Sequence, residues 1–239
     1  MMGKDGSGFA SQPRYSAQMT ENAATRLENA REKIAAASKI AQRKAEDVTL
    51  IAISKTHPAE DILPLLQAGQ RAFGENRVQE TQGKWPELRA QFPDVELHLV
   101  GQLQSNKADD AVALFDCIHS LDRPSLLKAL AKAMDKADRR IPCFVQVDIG
   151  EEEQKGGCAI SDLPAFIAQA RAANIPLAGL MCVPPAGIEP TPFFALLDKL
   201  AADHGLSCLS MGMSSDYPIA VQLGATHVRV GTALFGSRG

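Results

Sequence analysis

Lys55 closes the apolar run Ile51-Ala52-Ile53-Ser54. An amine at the end of a buried strand sits at a rim, where it turns into a mouth or reaches outward to solvent. Once its pKa is depressed, such an amine can form an imine with an aldehyde. Two more segments near the C-terminus carry chemistry, Met213-Ser214-Ser215-Asp216 and Arg229-Val230-Gly231-Thr232. Ser214 offers a hydroxyl, Gly231 lets the backbone approach a ligand closely, and successive N–H groups there can face an anion, a combination suited to phosphate. Ser-Ser-Asp equally suits the start of a helix ending at Gly224. Arg229 lies between Val228 and Val230 in a run that should be buried, so its guanidinium needs a partner. That partner is a structural ion pair inside the fold or a ligand acceptor such as a pyridine nitrogen.

These residues gain meaning from the elements that hold them. Eight short apolar runs recur along the chain, at 48–55, 71–76, 95–101, 117–121, 142–149, 176–183, 207–213 and 227–233. Amphipathic stretches separate them, which predicts repeated βα units and a parallel sheet. Asp122-Pro124, Ser161-Asp162 and Thr191-Pro192 open three of the helices, and Gly205 stops the last of these. Pro64 and Pro86 fall inside two others, where kinks or restarts are expected. No helix fits after the eighth strand. Residues 20–45, with Leu27, Ala30, Ile34, Ala37 and Ala41 on one side, predict a helix that fills the gap between strands 8 and 1. The count then closes as a single (β/α)₈ TIM barrel, and no G-x-G-x-x-G follows strand 1 to suggest a dinucleotide fold. Barrels of this kind place their sites at the C-terminal strand ends, with phosphate near strands 7 and 8. Lys55, Gly74-Glu75-Asn76, Ser214 and the Arg229–Thr232 segment all belong to that rim.

Composition excludes several classes. The 239 residues are 45% hydrophobic and 22% charged with a net charge of −3. No basic cluster offers a face to nucleic acid or an anionic membrane. The five cysteines form no C-x-x-C pair and read as buried, reduced thiols in a cytosolic setting. The five histidines fall in five segments, so no metal site is expected. His98 reads as a hydrogen-bonded structural residue or as part of the mouth. Residues 1–18 read as a flexible tail and 19–239 as one domain; the N-terminus has no signal-peptide pattern, and no run of about 20 apolar residues spans a membrane.

The segments SKTHPAEDI, FGENRVQE, HLVGQLQSNK, HSLD, QVDIGEEEQKGG, GLMCVPP and LSMGMSSDYPIAVQLGATHVRVGTALFG resemble the pyridoxal phosphate homeostasis protein family, single-domain relatives of the alanine racemase N-terminal barrel. The resemblance covers about residues 48 to 237. It implies pyridoxal 5'-phosphate (PLP) as cofactor, with a Schiff base on Lys55. It further implies phosphate contacts from Ser214, Gly231 and Thr232, an arginine, Arg229, facing the pyridine nitrogen, and Asn76 near the ring. One departure is Asp148, where the family has asparagine; it adds a carboxylate to the mouth. Cytoplasmic PLP homeostasis follows, with the chain a monomer and PLP-dependent apo-enzymes as partners. A PLP-dependent racemase is the alternative, and an aldol-type imine enzyme a third reading. Racemisation needs acid/base groups on both faces of the substrate α-carbon. The tyrosines, Tyr15 and Tyr217, lie at no strand end, and the chain stops at Gly239 without a second domain to supply one. An arginine at the ring nitrogen weakens the ring as an electron sink, and strand 6 has no aldolase-type lysine. The sequence thus predicts a carrier with little or no catalysis.

Overall fold

The computed structural model describes residues 12–152 and 156–236. Its centre is a closed barrel of eight parallel strands paired in chain order, with the last returning to the first. They are β1 Thr49–Ile53, β2 Ala72–Glu75, β3 Glu96–Leu99, β4 Cys117–Leu121, β5 Cys143–Gln146, β6 Leu177–Met181, β7 Cys208–Ser210 and β8 His227–Val230. Each falls within one of the eight apolar runs. Strands covered by helices outside and by one another inside need apolar residues on both faces, so these runs are continuous. Ile51, Ala52, Phe73, Leu97, Leu99, Ile118 and Val145 are all buried.

The helices are α1 Gln12–Ile40, α2 Ala59–Gln67, α3 Val78–Gln91, α4 Ala108–Leu114, α5 Pro124–Ala137, α6 Leu163–Ala172, α7 Thr191–Asp203, α8 Tyr217–Gln222 and α9 Thr232–Phe235. α2 to α8 follow β1 to β7 in turn. α1 packs against α2, α8 and α9, closing the outer ring as the helical pattern predicts. Ala23, Leu27, Ala30, Ile34 and Ala37 bury its inner face. Burying Leu27 and Ile34 contributes up to about 1.5–3 kcal/mol each. Arg26 Nε donates to Leu234 O at 2.5 Å, and Arg43 Nη1 to Ala225 O at 2.8 Å, tying the helix to the end of the chain.

Four details depart from the sequence reading. α1 begins at Gln12, so residues 12–18 are helical; residues 1–11 lie outside those described. It ends at Ile40 rather than 45, where Gln42 turns left-handed at φ 55° and Arg43 N–H bonds back to Ser38 O. Pro64 and Pro86 sit inside α2 and α3 without a restart, because both helices bury a face on the barrel through Leu65, Leu66, Trp85 and Leu88. A short helix, α9, does follow β8.

The cysteines are all free; four are buried and Cys208 is half-buried. His98 lies away from the mouth, at the N-terminal end of the barrel. There it borders a cavity walled by strand beginnings, among them Glu96, Cys117 and His227. Among the described residues no helix is long and apolar enough to cross a membrane.

Candidate functional site

A cavity of ≈ 550 Å³ opens at the C-terminal rim between β1, β2, β7 and β8. All six residues singled out in the sequence line it: Lys55, Asn76, Ser214, Arg229, Gly231 and Thr232. The barrel brings them together from four strand ends.

Lys55 stands two positions past the end of β1 on a tightly held turn. On one side Ser54 is fully buried; its N–H donates to Gly74 O, and its hydroxyl to Glu75 Oε1 at 2.6 Å. On the other side Thr56 adopts φ 65°, a left-handed conformation that costs a β-branched residue on the order of 1–3 kcal/mol. The Thr56 N–H is secured by Glu80 Oε1 at 2.5 Å. Beneath the turn lies Lys84, whose ammonium donates to Ser54 O at 2.8 Å and His57 O at 3.1 Å. It also sits 2.9 Å from both Glu75 Oε1 and Glu80 Oε1. Trp85 Nε1 adds a third donor to Glu75 Oε1, at 2.9 Å. For Glu80, burial pushes the carboxyl pKa up. The hydrogen bonds from Lys84 and Thr56 and the charges of Lys84 and Arg77 outweigh it, and the group ends below its ordinary value.

Sequence reading missed this support. Glu80 and Lys84 are spaced i, i+4 on α3, which reads as an ordinary solvated pair. The signal available was Lys84 beside Trp85, a charge next to a residue the helix must bury.

The anion-facing side is built differently. Gly212 turns β7 into the Ser214 loop at φ 91°, and an added Cβ would lie 2.5 Å from Ala220 Cβ, so glycine is required there. Ser214 Oγ accepts the Gly231 N–H at 3.1 Å, joining the β7 and β8 loops. Gly231 is another matter. Its φ of −110° suits any residue, and an added Cβ would meet only Ile53, at 3.6 Å. Nothing in the fold demands glycine at this position; a side chain there would take up cavity space.

Arg229 is 5% exposed, yet the hydrogen bonds it makes among the described residues go to neutral oxygens. Nη1 donates to Ser210 Oγ at 2.7 Å and Nη2 to Cys182 O at 2.8 Å. Burial draws its pKa down from the ordinary arginine value, but a guanidinium stays charged at physiological pH. It has five N–H donors in all, so some remain for an acceptor in the cavity. Asp148 does not line the cavity; its carboxylate accepts the Glu152 N–H at 3.2 Å within its own loop.

An amine, a hydroxyl, a guanidinium hydrogen-bonded to neutral oxygens and an unfilled glycine position around one cavity fit a ligand that combines an aldehyde, a phosphate and an acceptor ring nitrogen. The family model described as alanine racemase, N-terminal domain, matches residues 26–239. The pyridoxal phosphate homeostasis protein of Pseudomonas aeruginosa is 40% identical over 216 residues, 86% of this chain and 91% of that protein. The chain belongs to the pyridoxal phosphate homeostasis protein family. The Escherichia coli K12 homeostasis protein is 35% identical over 227 residues, covering 89% and 95% of the two chains. Within the same range stands PipY of Synechococcus elongatus PCC7942, solved with PLP bound; it has a TM-score of 0.79 at 40% identity and covers 90% of this chain and 100% of that one. An alanine racemase from Clostridium difficile has a TM-score of 0.65 at 14% identity, and this chain spans 53% of it. That likeness shows the barrel fold alone.

Proposed function

We propose that this family member holds PLP covalently at Lys55 and releases it again, without turning over a substrate. Its place in PLP homeostasis comes with its family; the residue roles and the lack of turnover are the further steps. The observation that carries them is Arg229, held at the cavity by neutral oxygens of Ser210 and Cys182 rather than by a carboxylate. When bound, PLP supplies an aldehyde for an amine and a ring able to withdraw electrons. Lys55 Nζ would be the amine that takes the aldehyde with loss of water, Ser214, Gly231 and Thr232 would hold the phosphate, and Asn76 would border the ring. Arg229 only donates, so a ring nitrogen facing it stays an acceptor and the ring draws electrons weakly.

Racemisation needs a second proton-transfer group opposite Lys55. Among the described residues no tyrosine or cysteine lines the cavity, and Tyr217 is buried in the core at the start of α8. His57 borders the rim beside Lys55, but it belongs to the same turn as Lys55, with its ring stacked on Phe235 and Nδ1 3.3 Å from Asp61. Release to PLP-dependent apo-enzymes, in the cytoplasm and by a monomer, completes the reading. Borohydride reduction of the loaded protein should fix the cofactor on Lys55 and fail to do so in Lys55→Ala. Incubation with L- and D-alanine in heavy water should give no α-proton exchange near 1 per second, an ordinary enzymic rate. Exchange at that rate would favour the racemase instead.

A further inference from the structure

The barrel has a second cluster of chemical groups, at the end opposite the rim. β3 and β4 pair with His98 across from Cys117. Alternation along β4 puts Cys117 and His119 on one face. One ligand atom from each of His98, Cys117 and His119 lies within 4.8 Å of the others, and all three residues are buried. His98 Nδ1 and His119 Nε2 are 3.0 Å apart. Two nitrogens on a tetrahedral zinc, each about 2.0–2.1 Å from it, stand roughly 3.3 Å from one another. A few tenths of an ångström separate this pair from ligand spacing.

His98 Nε2 is buried and has no hydrogen-bond partner, while Glu96 Oε2 stands 3.9 Å away. The cluster also has an entrance. A cavity of ≈ 570 Å³ opens from it to solvent, with Glu96, Cys208 and His227 in its walls.

We propose that the barrel floor binds a zinc-class ion through His98 Nδ1, His119 Nε2 and Cys117 Sγ, with its fourth position open to the cavity. Two imidazoles and a thiolate suit zinc, whereas magnesium and calcium require oxygen ligands. The far nitrogen of His119 is hydrogen-bonded as a metal-bound histidine needs it, and that of His98 has a carboxylate within side-chain reach. His119 Nδ1 lies 2.8 Å from Ser210 Oγ, and His98 Nε2 faces the Glu96 carboxylate. The two lone pairs of Ser210 Oγ let it accept from His119 and, at 2.7 Å, from Arg229 Nη1 together. On binding, the Cys117 S–H bond gives way to sulfur–metal coordination and its proton leaves to solvent. Each imidazole keeps one proton, so one proton is released per ion. The Arg229 charge opposes the ion, and the Cys117 thiolate and Glu96 offset it. Without metal the same atoms form a plain chain, Arg229 to Ser210 to His119 to His98, each donating to the next.

Cobalt(II) titrated into the full chain loaded with PLP separates the two states. The expected result is one ion per chain, a thiolate-to-cobalt charge-transfer band in the difference spectrum, and its displacement by zinc. Calorimetry in two buffers should show one proton released per ion. Cys117→Ser should remove the band, and Glu96→Gln should weaken binding by on the order of 10-fold or more. Should Cys117→Ser fail to fold, His98→Gln and anomalous scattering from zinc-soaked wild-type crystals test the same ligands. Absence of the band, its persistence in either ligand variant, or zinc located elsewhere would overturn the proposal and leave the hydrogen-bonded chain.

Discussion

Replacing Lys84 with methionine removes the ammonium under the Lys55 turn while keeping most of the side-chain volume. The change leaves Glu75, whose side chain is wholly buried, without its cation; Lys84 itself is 10% exposed. Breaking a buried pair on one side costs about 3–5 kcal/mol. Ser54 Oγ and Trp85 Nε1 still donate to Glu75 Oε1, which favours the lower end. Loss of the donor to His57 O adds about 1 kcal/mol. The expected destabilisation is therefore about 3–4 kcal/mol, or roughly 6–16 °C in Tm for a chain of this size. Thermal and urea unfolding measure it. A second change, Glu75→Gln, removes the stranded charge and should restore at least about 1 kcal/mol in the double variant. Lys199→Met serves as control, because the Lys199–Asp203 pair is mostly exposed and exposed pairs contribute little. PLP affinity should also fall in Lys84→Met, since the Ser54 and His57 carbonyls flank Lys55. A loss under about 1 kcal/mol would place Lys84 with the surface pairs and refute its supporting role.

Gly212→Ala should cost about 1–3 kcal/mol by unfolding, from the left-handed φ and the contact with Ala220, and should loosen the Ser214 loop. Gly231→Val should do the reverse: PLP binding weakens in a fluorescence titration while Tm changes by only a few degrees. Unchanged affinity would exclude a phosphate cradle at that glycine. The His57 ring stacks on Phe235 at 4.2 Å, which joins the Lys55 turn to α9. His57→Ala should lose about 0.5–1.5 kcal/mol and speed PLP release in a transfer assay; equal release rates would show that α9 plays no part in holding the turn.

The fold was readable because each βα unit repeats the same two signals, a continuous apolar run and an amphipathic stretch. The decisive point was the helix before β1, whose Leu27 and Ile34 face showed that the ring could close. Its start was misplaced because polar residues around Pro13 look like a tail, although proline suits the first turn of a helix. The six rim residues could be placed around one cavity because strand ends can be located from pattern alone. The pairing of Glu75 with Lys84 could not be found that way. Their pairing depends on β2 and α3 meeting beneath the Lys55 turn, and the one local hint, Lys84 beside Trp85, does not name the partner. For the same reason His98 and His119, on different strands and 21 positions apart, gave no metal-ligand spacing.

The place of α1 sets the order in which the molecule can be finished. It is made first, yet its partners α8 and α9 are made last, and the Arg26–Leu234 bond spans 208 positions. During synthesis the stripe of Ala23, Leu27, Ala30, Ile34 and Ala37 therefore has α2 early but waits for α8 and α9, an interval in which aggregation competes. Such long-range closure is slow. The PLP-binding rim between β1 and β8 is complete only once β8 has joined β1, so a nascent chain stopped before His227 would have Lys55 but no β8 side to its cavity.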